Sequence, residues 1–170
     1  DLTVTAENSA DSASIADFKR QKRYRLMWMD TKYESGTVKV VAYNEKGDAV
    51  AEKEIHTAGK PDHIELVADR NEIKADGKDL SFVTVRVVDK EGNLCPDAQH
   101  LIKYAVKGAG TYRAGANGDP TSLELFHVPQ MKVFNGMMTA VVQSTDKPGE
   151  ITLTATGKGL KSGRLVLISK

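Results

Sequence analysis

Cysteine and long apolar runs are scarce in this sequence, and each scarcity excludes a class of protein. Cys95 is the single cysteine among 170 residues, so no internal disulfide can form, and its position in a turn predicts a packing role rather than a reactive thiol. No apolar run reaches the roughly 18 residues of a membrane helix, and no signal peptide is present. We therefore expect no membrane insertion.

An excess of charge of one sign is also missing. The chain has 24 Lys and Arg residues against 23 Asp and Glu residues, a formal net charge of +1, and these charges are scattered rather than blocked. Because a nucleic-acid-binding domain usually carries a basic excess, nucleic acid is not an expected partner. The chain starts at Asp1 without a methionine, so we expect a processed or excised piece of a longer protein.

Catalytic and metal-binding patterns are absent as well. A retaining glycosidase needs two carboxylates about 5 Å apart, whereas the glutamates here lie beside turns or on the predicted wet faces of strands, at spacings that do not pair them. The gaps between the four histidines match no zinc motif: His56, His63, His100 and His127. The aspartates lack the D-x-D-x-D-G run of a calcium loop. We predict no catalytic residue, no metal and no cofactor in this chain.

Apolar alternation with a period of two is what the sequence does contain. Ile151, Leu153 and Ala155 alternate with threonines, and residues 80–88, LSFVTVRVV, alternate before a turn at Gly92. Such alternation predicts strands with one buried and one wet face. Turn signals separate about seven of these strands in residues 62–170, and no stretch after residue 60 has a helical period. The predicted fold is all-β, an immunoglobulin-like β-sandwich with residues 80–88 as a central strand.

The first 58 residues have fewer strands than a complete sandwich needs. A short strand is predicted at the start, another in RYRLMWM, which contains Trp28, and a strand, turn and strand in residues 36–57 with the turn near Glu45–Gly47. Three or four strands do not close a sandwich. We therefore predict a partial β-sandwich domain at 1–58, a linker at 59–61 and the immunoglobulin-like domain at 62–170.

One glycine-rich segment, KGAGTYRAGANGDPTS, is the candidate functional loop. Its glycines allow close approach of a partner to the backbone, and Tyr112, Asn117 and Asp119 could contact a glycan or another domain by stacking and hydrogen bonds. The alternative interpretation, which we favour, is that these small residues fit a bent strand and a tight turn.

Two stretches resemble a known family. YRLMWMDTKYESGTVKVVAYNEKGDAVAEKEIHTAGKP resembles the end of a β-sandwich domain that follows the barrel in bacterial glycoside hydrolases of family 2, the β-galactosidase type. LVADRNEIKADGKDLSFVTVRVVDKEGNLCPDA, with NGDPTSLE and LTATGKGLKSG, resembles the C-terminal immunoglobulin-like domain of the same enzymes. The tandem order, joined by Thr57-Ala58-Gly59-Lys60-Pro61, is the specific part of the resemblance.

The resemblance implies a non-catalytic C-terminal accessory region of a larger periplasmic or extracellular glycosidase. Activity toward β-galactosides or related glycans would belong to a (β/α)₈ barrel outside this sequence, since no alternating β/α pattern of about 250 residues is present. The implied partners are the remaining domains of the parent enzyme, with a carbohydrate as a further candidate. Two alternatives stay open: a carbohydrate-binding module, and an immunoglobulin-like spacer of a bacterial surface adhesin.

Overall fold

The chain divides into two compact units, Asp1–Thr57 and Ala58–Lys170. The structure, a computed structural model, describes residues 32–170. The predicted strands at the start of the chain and in RYRLMWM, with Trp28, lie outside the described residues. The domain boundaries expected from the sequence stay a prediction.

The described part of the first unit is a two-stranded antiparallel ribbon, β1 (Thr37–Tyr43) and β2 (Ala49–His56). Its turn is fixed by Asn44, whose side-chain oxygen accepts hydrogen bonds from the backbone N–H groups of Lys46 and Asp48, each at 2.9 Å. Gly47 completes the turn at a φ of +87°. The predicted strand, turn and strand are therefore confirmed.

The second unit contains nine strands in two sheets. The strands are β3 (His63–Ala68), β4 (Glu72–Ile73), β5 (Leu80–Val88), β6 (Leu101–Gly108), β7 (Gly110–Ala116), β8 (Gln130–Lys132), β9 (Met137–Ser144), β10 (Gly149–Gly157) and β11 (Gly163–Ser169). One sheet has the order β3-β5-β9-β7, and the other has the order β4-β11-β10-β6-β8. Across residues 32–170, no helix has the length and apolar character that a membrane crossing requires.

The strand lengths explain the difference between nine observed strands and about seven predicted ones. Seven strands of the second unit have six to nine residues, whereas β4 has two and β8 has three. A strand of two or three residues is too short to show alternation. The all-β sandwich is confirmed, and β5 is an inner strand of its sheet, as residues 80–88 predict.

The core lies between the two sheets. Val83, Val85 and Val87 of β5 have no exposed surface, and neither do Ile151 and Leu153 of β10. The alternation of the sequence places these side chains inward and their polar neighbours outward. Removing this apolar area from water, at about 25 cal/mol per Å², is the main stabilising contribution to the fold.

The chain crosses from one sheet to the other within a single residue. β6 ends at Gly108, β7 begins at Gly110, and Ala109 donates a hydrogen bond to the carbonyl of Glu150 at 2.9 Å. Gly108 has a φ of +91°, and a Cβ there would lie 2.1 Å from the Glu150 carbonyl oxygen. Only glycine fits at this crossing.

Asp89, at the end of β5, holds both the following turn and the predicted linker. Its buried carboxylate accepts hydrogen bonds from the backbone N–H groups of Gly59 at 2.7 Å, Asn93 at 2.8 Å and Glu91 at 3.0 Å. These bonds, led by the one from Gly59, hold the pKa of Asp89 at about 2, below its ordinary value of 3.8. Gly59 is therefore fixed to the sandwich, and Gly92 supplies the positive φ, +86°, that the turn needs.

Candidate functional site

The candidate loop joins β7 to β8 and runs over residues 117–129. The strand before it is bent, because the pairing of β7 with β9 shifts register between Tyr112 and Ala114. Such a bulge turns successive side chains of one strand in new directions. The glycine-rich segment thus forms a bent strand followed by a turn, which is the structural interpretation that the sequence favours.

Tyr112 faces the core side of β7 rather than solvent. Its ring stacks on that of Tyr104 with centroids 5.6 Å apart and an angle of 13° between the ring planes, and its hydroxyl donates to the carbonyl of Phe126 at 3.3 Å. Burial raises the pKa of the Tyr112 hydroxyl. Since one ring face is covered by Tyr104, Tyr112 offers at most its other face or its edge to a partner.

Asn117 and Asp119 are brought together in one turn. The Asn117 side-chain oxygen accepts the backbone N–H of Asp119 at 3.0 Å. The Asp119 carboxylate in turn accepts the hydroxyl of Thr121 at 2.7 Å and its backbone N–H at 2.8 Å, and both bonds lower the pKa of Asp119. These side chains close the turn on itself. Contact of the three predicted residues with a glycan or a domain stays a prediction.

The loop also covers the edge of the five-stranded sheet. β8 is an edge strand, and the N–H and C=O of Lys132 point away from β6, because the neighbouring Val133 donates in the opposite direction, to the carbonyl of His100 just before β6 at 3.0 Å. Both groups are satisfied by the loop. The Glu124 carboxylate accepts the Lys132 N–H with both oxygens at 3.2 Å, and the Asn117 amide donates to the Lys132 carbonyl at 3.0 Å. Asn117 therefore has a structural role that its sequence position does not reveal.

Three apolar side chains on the same loop are exposed. Leu123 is 96% exposed, Leu125 60% and Phe126 61%. Exposed apolar residues that lie near one another on one loop are a candidate interaction surface. No sequence motif points to these three side chains, although the alternation in SLELF is a signal that could identify them.

Reactive groups are not assembled in the described part of the chain. Residues 32–170 contain no cluster of three or more His, Cys, Asp or Glu side chains that could hold a metal ion. Cys95 is buried, and burial together with the nearby charge of Asp89 raises the pKa of its thiol. A thiol in such surroundings is a poor nucleophile. The chemistry that this arrangement supports is packing and hydrogen bonding.

Two known families match the chain. Residues 64–166 match the glycoside hydrolase family 2 C-terminal domain 5, and residues 6–51 match a domain of unknown function, DUF4982. The first match covers β3 to β11 apart from the first residue of β3 and the last three residues of β11. It also contains the whole candidate loop.

Characterised relatives match both parts of the chain. β-Galactosidase BoGH2A of Bacteroides ovatus is 52% identical over 134 residues, which are 79% of this chain and 16% of that protein. A β-galactosidase of Thermoanaerobacter pseudethanolicus is 32% identical over 134 residues, with the same coverage. The chain therefore spans about a sixth of the length of these relatives.

Solved structures show the same architecture. A glycosyl hydrolase family 2 member from Bacteroides cellulosilyticus superposes with a TM-score of 0.76 and 35% identity, over 82% of this chain and 18% of the other. A β-glycosidase from Bacteroides vulgatus superposes with a TM-score of 0.76 and 25% identity. The match of the family over residues 64–166 covers more than half of the sequence. This chain belongs to the glycoside hydrolase family 2 C-terminal domain 5 family.

Proposed function

We propose that this chain is the non-catalytic C-terminal accessory region of a β-galactosidase-like enzyme of glycoside hydrolase family 2. Hydrolysis of β-galactosides or related glycans is carried out by a barrel domain outside the chain. The sandwich is a stiff module that packs on the remaining domains of the parent enzyme. The parent acts in the periplasm or outside the cell. Fractionation of the producing cells, with an antibody against residues 62–170 to detect the protein in each fraction, tests this location.

The family match over residues 64–166, in relatives that carry more than four fifths of their length elsewhere, carries this proposal, and the carboxyl groups are consistent with it. The general acid of a glycosidase needs a raised pKa so that it stays protonated near neutral pH. Among the described residues, every carboxyl whose pKa departs from its ordinary value is shifted downward, by hydrogen bonds to backbone or side-chain donors: Asp62, Asp76, Asp79, Asp89 and Asp119. These carboxylates are structural acceptors, which is the opposite of what acid catalysis requires.

The exposed apolar loop supports packing on the parent enzyme. Leu123, Leu125 and Phe126 leave apolar surface in water, and the relatives carry more than four fifths of their length outside the matching region. Exposed apolar surface is unfavourable in water. Burying these side chains against another domain of the same polypeptide removes this unfavourable free energy without an intermolecular encounter. The remaining domains of the parent are therefore the proposed occupant of the loop.

The main test is an activity comparison. The purified chain is assayed with a chromogenic β-galactoside beside the full parent enzyme, at equal molar concentration. We expect turnover by the parent and none by the chain. Turnover by the chain that a single carboxylate substitution abolishes, such as Glu150→Gln, would contradict the proposal.

A second test addresses the loop. Leu123→Ser with Phe126→Ser is introduced into the full parent and into the isolated chain, and Val67→Ser, which is also an exposed apolar position at 49%, is the control. We expect a lower melting temperature in the parent alone, since only the parent supplies the surface that the loop covers. An equal effect in both proteins would show that the loop acts within the sandwich.

A third experiment tests the alternative that the chain is a carbohydrate-binding module. A binding module for neutral galactosides predicts saturable binding by the isolated chain in a calorimetric titration. Aromatic stacking is the usual basis of such binding, and the half-buried Tyr112 ring is already stacked on Tyr104. We therefore expect no binding of neutral galactosides.

A further inference from the structure

The outer face of the five-stranded sheet carries a cluster of positive charge that the overall net charge conceals. Lys103 and Lys107 project from β6 and Arg164 projects from β11, all exposed. Thr152, Thr154 and Thr156 of β10 lie between them. We call these six residues the basic face.

The strand register fixes the geometry of the basic face. Thr156 is opposite Lys103, Thr152 is opposite Lys107, and Thr154 is opposite both Ala105 and Arg164. The two lysines are four residues apart on one strand, which is about 13 Å. Arg164 is two strands away from β6, which is about 10 Å. Three cations therefore surround a row of hydroxyl groups, and Glu150, two residues before Thr152, is an exposed carboxylate on the same face.

The cations of the basic face form no ion pair within the described residues. No carboxylate oxygen of the described residues lies within 4.0 Å of Lys103, Lys107 or Arg164. Some other cations of the sandwich have such partners, as Arg86 has Glu65 at 2.6 Å and Lys161 has Asp62 at 2.9 Å, but they are a minority. The unpaired charges of the basic face are available to an anionic ligand.

We propose that the basic face binds an acidic polysaccharide, one whose uronic acid carboxylates are spaced along an extended chain. The charge is complementary, and threonine hydroxyls are suited to hydrogen bonding with sugar hydroxyls. Aromatic side chains are absent from these six residues, so charge rather than stacking selects the ligand. The proposal rests on the accessory role proposed above, in which the module stands beside a glycan-degrading domain.

Spacing favours this ligand over nucleic acid. Duplex DNA carries one charge per about 1.7 Å of its axis, which is far denser than cations about 10 to 13 Å apart. A polysaccharide with one carboxylate per disaccharide has the sparser charge that matches the basic face.

The test uses the whole 170-residue chain and hyaluronan, which has one carboxylate per disaccharide. Binding is measured by affinity electrophoresis and by titration at low ionic strength, with neutral dextran and duplex DNA as parallel probes. We expect binding to hyaluronan that weakens with added salt, since screening shortens the range of exposed charges to about 8 Å at physiological ionic strength. Neutral dextran should not bind, and duplex DNA should bind more weakly.

Matched variants locate the site. Lys103→Gln, Lys107→Gln and Arg164→Gln combined should weaken hyaluronan binding roughly tenfold, since each exposed contact contributes modestly. The control removes the same charge from connecting segments, as Lys78→Gln, Lys90→Gln and Lys147→Gln, and should change binding less than about twofold. Lys103→Arg with Lys107→Arg should retain binding.

Three results would overturn the proposal: no binding to hyaluronan, an equal loss in the control variant, or tighter binding to DNA. Circular dichroism and melting temperature of each variant confirm that the sandwich is folded when binding is measured. The result is independent of the activity assay. A chain that hydrolyses galactosides would overturn the accessory role even with this binding intact, whereas an inactive chain that ignores hyaluronan would overturn the basic face alone.

Discussion

The ribbon of the first unit and the sandwich of the second have similar alternating sequences but very different burial. In β1 and β2 every described residue except Val41 is exposed, and Val38, Val50 and Ile55 are about 60% exposed. In β5 and β10 every second side chain is fully or almost fully buried. A period of two therefore specifies a strand, while burial requires a second sheet placed against it.

Truncation of one side chain should reveal the largest difference in unfolding free energy between the sandwich and the ribbon. Leu153→Ala removes a fully buried side chain between two sheets and should cost about 2–5 kcal/mol. Val40→Ala in the ribbon, where the side chain is 41% exposed, should cost about 0.5 kcal/mol or less. Hydrogen exchange of amides in β10 and β1 measures both. Equal costs would mean that the ribbon has a core of comparable quality.

The glycines at positive φ provide the next comparison. Gly108→Ala should cost about 3 kcal/mol, because the added Cβ meets the Glu150 carbonyl and the left-handed backbone is strained. Gly47→Ala in the ribbon turn, with φ +87° and no atom within 4 Å of its Cβ, should cost only about 1 kcal/mol. Urea unfolding of the two variants tests the difference. Similar costs would show that the sheet crossing tolerates a displacement of the backbone.

Asp89 should give the sandwich a stability that depends on pH in the acid range. Its folded pKa of about 2 lies below its ordinary value of 3.8. The stabilisation is therefore complete above about pH 4 and is lost as the pH falls through about 2. Asp89→Asn removes this dependence and lowers the urea midpoint at pH 7. Asp97→Asn, at an exposed aspartate nearby, is the control, and a matching effect there would assign the dependence to general charge repulsion.

The smallest effect is expected on the surface of the ribbon. Lys39 and Glu52 form an exposed ion pair at 3.0 Å, which also raises the pKa of Lys39. Exposed pairs contribute little because water screens them. Lys39→Gln should leave the exchange rates of β1 and β2 unchanged within error. Faster exchange throughout the ribbon would mean that charge, rather than backbone pairing, holds the two strands together.

The sequence predicts the long strands because their pattern is local. Residues 83–87 and 151–156 alternate without interruption, and β5 and β10 contain them. β7 was harder to predict because its bulge breaks the alternation at Arg113. The turn at Asn117 and Asp119 is also local and was identified from its Asn-Gly-Asp-Pro sequence.

Contacts between distant parts of the chain could not be predicted. The ring partner of Tyr112 is Tyr104, on a strand of the other sheet, and the role of Asn117 depends on Lys132, fifteen residues away. The basic face is likewise invisible in the sequence, since Lys103 and Arg164 are neighbours only through the pairing of three strands. Three cations that are far apart in the sequence are therefore placed on one face of a sheet.

The side chains that cover Lys132 have a consequence for the behaviour of the protein at high concentration. An edge strand with free backbone groups is a template on which a strand of a second molecule can add, and repeated addition produces fibres. At β8 the template is already occupied by Glu124 and Asn117. Molecules crowded together should therefore stay dispersed at this edge.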